Sequence, residues 1–195
     1  MKKKEKGRYG YINYYKKTKL LITLLLAVMI AFVIITMLLM YGDTNRVMVV
    51  FAILLVLPFA KFLIAYIMCI KFSSMPEDMH KRIFEKTKTD AGEEMTGLLY
   101  DVVVTQYEGM HFFESVCVKN GKVCALVLDK KYPEKKSEYE KCMQAALANS
   151  KYKYLIHIYT DVDAYLKKVC SLSTPNDNTR IIDKHMREQL LTYCV

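Results

Sequence analysis

The 195-residue sequence has few of the residues that build nucleotide and metal sites. It contains no tryptophan, four prolines and seven glycines, and no glycines stand at the spacing of a dinucleotide-binding or phosphate-binding loop. The six cysteines include no C-x-x-C pair, and none of the four histidines has metal-ligand spacing to another histidine, cysteine or acid. A G-x-S-x-G nucleophile elbow is also missing. We therefore predict no resident cofactor, no metal site and free thiols.

Charge is scarce in the middle of the chain and concentrated at its N-terminal end. The net charge is +9, of which residues 1–19 carry +7, residues 20–74 carry +2 and residues 75–195 carry none. A nucleic-acid binder needs its basic residues on a folded face, so this distribution makes nucleic acid an unlikely partner. The pattern instead predicts a basic, tyrosine-rich tail over residues 1–19 that contacts anionic lipid headgroups. The candidate lipid-interface residues are Lys2, Lys3, Lys4, Arg8, Lys16, Lys17 and Lys19.

Two long apolar stretches follow the tail. Residues 20–41 contain no charge, and 22 residues of helix at 1.5 Å each span about 33 Å, enough to cross the hydrocarbon core of a bilayer. Residues 42–46 form a short polar turn, and residues 47–70 form a second apolar stretch. Because lipid tolerates only helices and closed barrels, the pattern predicts a two-helix transmembrane hairpin.

Orientation follows from the lysines and arginines. They are abundant before the first span and after the second, whereas the turn between the spans has only Arg46. The positive-inside rule then predicts a multi-pass protein of the cell membrane with both termini in the cytoplasm.

Lys61 is an ionisable residue inside the second predicted span, three residues after Pro58. Intramembrane charges often mark ion or proton pathways. No acid lies within either span to pair with this lysine. We favour the alternative, in which its long stem reaches the cytoplasmic headgroups.

Residues 75–195 are predicted to form a cytoplasmic α/β (α+β) domain with about four strands in the order α-β-β-β-α-β-α-α. Ser74 and Glu77 have the spacing of a capping box, and Thr160 with Asp163 resembles a second N-cap. The predicted helices cover residues 74–88, 134–149, 160–172 and 179–193. The predicted strands cover residues 98–106, 111–118, 122–129 and 153–160.

Asn120-Gly121 between apolar runs predicts a β-hairpin with a two-residue turn. That turn pairs Lys119 with Lys122 and Cys117 with Cys124, and regular alternation assigns every later residue to a face. One face is predicted to carry Phe112, Glu114, Val116, Val118, Val123, Ala125, Val127 and Asp129. The other is predicted to carry Phe113, Ser115, Cys117, Cys124, Leu126 and Leu128. Since both faces are largely apolar, we expect the hairpin inside a sheet covered on both sides.

The order α-β-β-β-α-β over about residues 77–160 resembles the core of the PD-(D/E)XK nuclease-like superfamily. In that pattern Glu114 matches the first acid, on the second core strand. Asp129 and Lys131 form an acid-x-Lys string, although it stands two residues later than the family's motif. The resemblance implies a Mg²⁺-dependent phosphodiesterase in which both acids hold the metal and the lysine positions water. The structural alternative is that Glu114 pairs locally and Asp129 ends a strand, and we favour it.

From the sequence alone we expect a membrane-anchored cytoplasmic interaction or assembly module without a catalytic motif. Its expected partners are the anionic inner leaflet and either a second copy or another membrane protein. Two alternatives stay open: a membrane-tethered, degenerate nuclease-like domain, and a small oligomeric transport or channel subunit built around Lys61.

Overall fold

The computed structural model describes residues 4–41, 46–88, 97–106, 109–129, 132–148, 154–172 and 177–194. The chain divides into two compact units. One consists of residues 12–73, and the other combines residues 1–11 with residues 74–195.

The first unit is built from two apolar helices, α1 (Tyr11–Tyr41) and α2 (Arg46–Cys69). Helix α1 begins before the apolar run, so Lys16, Lys17 and Lys19 lie within it. Among the described residues it is the one helix long and apolar enough to cross a membrane, over Tyr11–Thr36 with a mean hydropathy of 2.7. Only 6% of its most apolar window is buried, so its leucine, isoleucine and phenylalanine side chains are largely exposed. A shorter apolar helical stretch covers Ile53–Cys69.

The second unit contains a helix-and-sheet domain, which confirms the α/β prediction. Its helices are α3 (Glu77–Thr87), α4 (Tyr132–Leu147), α5 (Val162–Ser171) and α6 (Asp177–Tyr193). Its strands are β1 (Leu98–Gln106), β2 (Gly109–Lys119), β3 (Lys122–Leu126) and β4 (Leu155–Tyr159). They form one mixed sheet in the order β1-β2-β3-β4, antiparallel from β1 to β3 and parallel between β3 and β4.

Helices cover both faces of this sheet. Met143 of α4 and Leu190 of α6 belong to the apolar cluster on one face, and we call this the α4/α6 face. Ile83 of α3 and Tyr165 of α5 belong to the cluster on the opposite face, the α3/α5 face. All four side chains are fully buried, so the predicted cover on both sides of the hairpin is confirmed.

The β2–β3 hairpin has the predicted register from Lys119↔Lys122 to Ser115↔Leu126. Asn120 and Gly121 both have positive φ, 53° and 67°, as a type I′ turn requires. Their N–H groups donate to the two carboxylate oxygens of Asp183 on α6, at 2.8 and 3.0 Å. The turn is therefore fixed both by its own residue types and by a helix more than sixty residues away in sequence.

Strand β3 ends at Leu126, so the prediction of a strand up to Asp129 is wrong. Beyond Leu126 the main chain bonds to other partners. Val127 N–H donates to the carbonyl of Tyr159 at 2.8 Å, and Leu128 N–H donates to the Glu114 carboxylate at 2.9 Å. At Leu128 the Glu114 side chain therefore accepts the hydrogen bond that a main-chain carbonyl of β2 would accept if the β2–β3 ladder continued.

The predicted alternation of β2 is also wrong at Phe113, which lies on the α4/α6 face together with Val116. The cause lies in the neighbouring strand, where Asp101 has a left-handed φ of 52°. Tyr100 packs on the α3/α5 face, but Val102, two residues later, packs on the α4/α6 face. Regular alternation would put both on one face, so both strands change face at this level of the sheet.

Two predicted helix caps are replaced by neighbouring residues. The N-cap of α3 is Pro76, and the Ser74 hydroxyl instead donates to the Asp101 carboxylate at 2.6 Å. The N-cap of α5 is Asp161, which accepts from Ala164 N–H at 2.8 Å and takes the role predicted for Thr160. In each case the N-cap position belongs to a residue closer to the first helical turn, but only Asp161 makes a side-chain cap hydrogen bond.

Candidate functional site

Glu114 of β2 is the central residue of the predicted nuclease-like site. The Glu114 residue is 8% exposed, and one oxygen of its carboxylate accepts a hydrogen bond from Leu128 N–H at 2.9 Å. Burial raises the pKa of the Glu114 carboxyl to about 7, although the hydrogen bond from Leu128 opposes part of that rise. The negative charges of Asp129 and Asp101 raise this pKa further. Glu114 is therefore a buried carboxyl that exchanges its proton near neutral pH.

Asp129 lies near Glu114 but in a different environment. Asp129 is exposed, and one oxygen of its carboxylate accepts a hydrogen bond from the hydroxyl of Tyr139 on α4 at 3.2 Å. Burial and the charge of Asp129 raise the pKa of the Tyr139 phenol. The tyrosine therefore acts as a neutral donor that fixes the chain just after β3.

Aromatic rings surround the Tyr139 phenol. The His111 ring centroid lies 4.7 Å from that of Tyr139, and the rings of Phe113 and Tyr132 each lie 5.5 Å away in edge-on arrangements. Such rings pack favourably edge to face and exclude water from the polar group beside them. This packing contributes to the burial of the Tyr139 ring on the α4/α6 face.

Asp101 is the acid that the sequence reasoning missed. It lies opposite Glu114 in the β1–β2 ladder, between the pairs Tyr100↔Ser115 and Val102↔Phe113. It is 3% exposed and accepts from Ser74. The sequence signal was available, because a single aspartate interrupts an otherwise apolar strand of tyrosine and valines.

The structure thus brings Glu114, Asp129 and Asp101 near one another, whereas Lys131 lies outside the described residues. Among the residues that the structure describes, no group of three histidine, cysteine, aspartate or glutamate side chains is placed to hold a metal ion. Glu114 is buried, has a pKa raised to about 7 and accepts a hydrogen bond from the main chain. What the arrangement does is hold the end of β3 and the start of α4 in place.

The N-terminal residues that were predicted to contact lipid fall into three groups. Lys4 is exposed, and its amine donates to the carbonyl of Tyr9 at 2.9 Å; Arg8 is exposed as well. Lys16, Lys17 and Lys19 lie on the first turns of α1. Lys2 and Lys3 lie outside the described residues.

Residues 4–11 contact the sheet domain. Tyr100 N–H of β1 donates to the carbonyl of Gly7 at 2.8 Å, and the Lys6 amine donates to the carbonyl of Cys194 at the same distance. The Tyr9 hydroxyl donates to the carbonyl of Met75 at 2.9 Å, and its ring stacks on His80 at 3.9 Å. Residues 4–11 therefore belong structurally to the domain that begins again at Ser74.

A cavity of about 300 Å³ lies beside the first turns of α1. Its lining includes Lys16, Lys17 and Leu20 of α1 and Tyr66 of α2. The Lys16 amine donates to the carbonyl of Phe72, and the Lys19 amine lies 4.8 Å from the centroid of the Phe62 ring. The cavity combines ammonium groups with an apolar wall.

Lys61, Cys117 and Cys124 are the remaining residues that the sequence pattern singles out. Lys61 is exposed on α2. Cys117 and Cys124 are direct partners in the β2–β3 ladder, but both are free, buried thiols, and burial raises the pKa of Cys117 to about 12. A thiol with so high a pKa is a poor nucleophile at neutral pH.

Scans of the chain against protein-family models, curated proteins and solved structures return no match.

Proposed function

We propose that this protein is a membrane-anchored, non-catalytic interaction module. In this proposal α1 and α2 cross the cell membrane as a hairpin with both chain ends in the cytoplasm. The α/β domain then presents its surface to protein partners at the inner leaflet. The observation that carries the non-catalytic part is the bond from Leu128 N–H to the buried Glu114 carboxylate.

Exposed apolar surface supports the membrane part of the proposal. Outside residues 20–70, the exposed large apolar side chains of the described chain are Met79, Leu155 and Ile181, whereas twenty others lie within that range. A soluble domain rarely leaves so large a continuous apolar area in water. Contact with lipid removes this surface from water without any protein partner.

The lysine-lined cavity supports contact with anionic lipid. Lys16 and Lys17 lie one turn before the uncharged part of α1, with Leu20 and Tyr66 in the same cavity wall. A phosphate headgroup beside an acyl chain needs a cationic rim and an apolar wall, and this cavity offers both. The proposed inner-leaflet location follows from the lysines and arginines of residues 1–19.

The anchoring proposal is tested in membrane vesicles that contain the full chain. We expect the chain to stay in the membrane pellet after extraction at alkaline pH and to enter solution only with detergent. In inside-out vesicles, protease should digest the α/β domain, whereas right-side-out vesicles should protect it. Release by alkali, or digestion only in right-side-out vesicles, contradicts the proposal.

The interaction proposal is tested separately by crosslinking the full chain in its native membrane and identifying the products by mass spectrometry. We expect one or more protein adducts that involve the α/β domain. A chain that yields no protein adduct under conditions that crosslink known membrane complexes is not an interaction module.

A degenerate nuclease-like domain is the second candidate. It is favoured by the element order α3-β1-β2-β3-α4-β4 and by the proximity of Glu114 and Asp129. Calorimetric titration of the full chain in detergent with Mg²⁺ and Mn²⁺ separates the two candidates. Saturable metal binding that Glu114→Gln abolishes would favour the nuclease-like domain over our proposal.

A further inference from the structure

The two edges of the sheet differ in how they are covered. At the β1 edge, Tyr100 N–H bonds to Gly7, and Val104 forms a β-bridge with Cys194. At the other edge, no segment of the described chain pairs with β4. An uncovered strand edge is a template for another strand, and proteins usually protect it.

The hydrogen-bond directions of β4 define what this edge offers. Leu155 N–H donates to Gly121 on the β3 side, and the Tyr159 carbonyl accepts from Val127 on the same side. Because main-chain groups alternate in direction along a strand, the N–H and C=O groups of Ile156 and Ile158 point away from β3. The free edge therefore carries two donor–acceptor pairs, separated by His157.

The side chains along this edge are unusual for a solvent-facing strand. Leu155 is 59% exposed, and His157 is exposed on the same strand. Ile156 and Ile158, in contrast, pack against the α4/α6 cluster. An exposed leucine on an unprotected strand edge is the combination that natural sheets avoid unless the edge has a partner.

We propose that β4 pairs antiparallel with β4 of a second copy of this chain, about a two-fold axis at His157. In this arrangement Ile156 of each copy exchanges both main-chain hydrogen bonds with Ile158 of the other. His157 then faces His157 of the second copy in the intervening non-hydrogen-bonded position. Leu155 faces Tyr159 of the second copy, so the exposed leucine gains an aromatic cross-strand neighbour. The two four-stranded sheets become one continuous sheet with an isologous interface.

Charge selects the antiparallel direction. Asp161 and Asp163 follow β4 in the sequence. Parallel pairing would bring these aspartates of both copies together at one end of the paired strands, whereas antiparallel pairing places them at opposite ends. Asp161 and Asp163 are both exposed, and Asp163 also bonds to Arg82 at 2.6 Å. This proposal concerns the α/β domain and does not depend on the proposed membrane function.

Cysteine crosslinking in the full chain tests the register. The background carries Cys170→Ser, because Cys170 is the exposed native thiol. Directly opposed residues in a non-hydrogen-bonded pair have Cα atoms about 4.5 Å apart, within disulfide range. We therefore expect His157→Cys to form a disulfide dimer under mild oxidation, at twice the monomer mass of 22.7 kDa.

Leu155→Cys supplies the matched control. In the proposed register the two copies of residue 155 lie about 14 Å apart along the strands, so this variant alone should stay monomeric under oxidation. Mixed with Tyr159→Cys, it should form a disulfide heterodimer. Loss of either expected disulfide, or a Leu155→Cys dimer as abundant as the His157→Cys dimer, overturns the proposal.

Sedimentation of the unmodified chain in detergent provides a second measurement that needs no substitution. We expect a dimer, and His157→Lys should shift it towards the monomer by placing two positive charges at the axis. An unmodified chain that sediments as a monomer at all accessible concentrations also overturns the proposal. The circular dichroism spectra of the variants at positions 155 and 157 should match that of the unmodified chain, because both positions are exposed.

Discussion

At the scale of single residues, Glu114 shows how burial decides what a carboxyl group can do. A buried carboxylate is costly unless it is well hydrogen-bonded or protonated. Glu114 meets both conditions in part, through the bond from Leu128 N–H and a pKa of about 7. Asp129, which also carries a carboxyl group, is exposed only fifteen residues later in the sequence.

The raised pKa of Glu114 predicts a pH-dependent stability. Its usual value is 4.5, so between 4.5 and about 7 the folded chain binds this proton more tightly than the unfolded chain. The resulting stabilisation is fully present below pH 4.5 and is lost as the pH rises through 7. We expect the free energy of unfolding to fall by about 3 kcal/mol from this group, measured by denaturant unfolding in detergent from pH 4 to 8.

Glu114→Gln should remove this pH-dependent component, because the amide oxygen still accepts from Leu128 but does not titrate. Glu188→Gln, an exposed carboxyl on α6, is the control and should leave the pH dependence unchanged. Equal pH dependence in the Glu114→Gln variant and the unmodified chain would show that the prediction is wrong.

At the scale of elements, the paired strands β1 and β2 change face at Asp101. The left-handed φ of 52° at this residue allows Tyr100 and Val102 to pack on opposite faces of the sheet. Asparagine and aspartate tolerate this conformation better than other non-glycine residues, and β-branched residues tolerate it least.

We expect Asp101→Asn to cost about 1 kcal/mol or less, because the amide oxygen can still accept from Ser74. Asp101→Val should cost about 2–3 kcal/mol, from the strained backbone together with the lost hydrogen bond. Thermal unfolding of both variants checks the order. If Val is tolerated as well as Asn, the backbone conformation of Asp101 does not control the face change.

Gly7 tests how residues 4–11 bind to the domain. It has a φ of 81°, and a Cβ atom there would lie 2.8 Å from Leu99 Cδ2 and 3.1 Å from Leu191 Cδ2. Gly10 has a similar φ of 78°, but its Cβ would meet only the flexible end of Lys4. The two glycines therefore share backbone strain and differ in steric contact.

We expect Gly7→Ala to destabilise the chain by about 1–2 kcal/mol more than Gly10→Ala, because the buried Leu99 and the partly buried Leu191 must move. Limited proteolysis within residues 4–11 should accelerate severalfold for Gly7→Ala relative to Gly10→Ala. Equal proteolysis rates would show that the contacts of Gly7 do not hold this segment.

At the scale of the whole molecule, local signals were sufficient for much of the fold. Asn120-Gly121 fixes the hairpin register because few residues other than glycine and asparagine accept positive φ. The four-stranded α/β domain likewise follows from alternating apolar runs and turn residues. These predictions succeed because each depends on interactions between residues close in sequence.

The failures involve distant residues. Strand β3 ends early because Glu114, fourteen residues before Leu128, takes over its hydrogen bond. Alternation in β2 breaks because of a backbone conformation in β1, and Asp101 was overlooked for the same reason. The contact between Gly7 and Tyr100 joins residues more than ninety positions apart. No local pattern encodes such pairings. The sequence pattern singles out Glu114 as a candidate site residue but does not predict its burial.

Lys61 offers a test of the proposed function at the scale of the whole molecule. Because it is exposed on α2 and our proposal gives it no ion pathway, Lys61→Leu should leave the vesicle topology and passive ion flux of the reconstituted chain unchanged. Flux is measured with a fluorescent reporter in liposomes that contain the full chain. A flux in the unmodified chain that Lys61→Leu abolishes would instead favour a small transport or channel subunit.

The bond between the Lys6 amine and the Cys194 carbonyl has a consequence for the order in which the protein is made. During synthesis, residues 4–11 leave the ribosome well before their partners, Tyr100 of β1 and Cys194 after α6. The apolar helices therefore emerge while this N-terminal segment still has no binding site on the sheet. Contacts this distant in sequence form slowly and late. We therefore expect the contacts of residues 4–11 with the sheet domain to form late in folding.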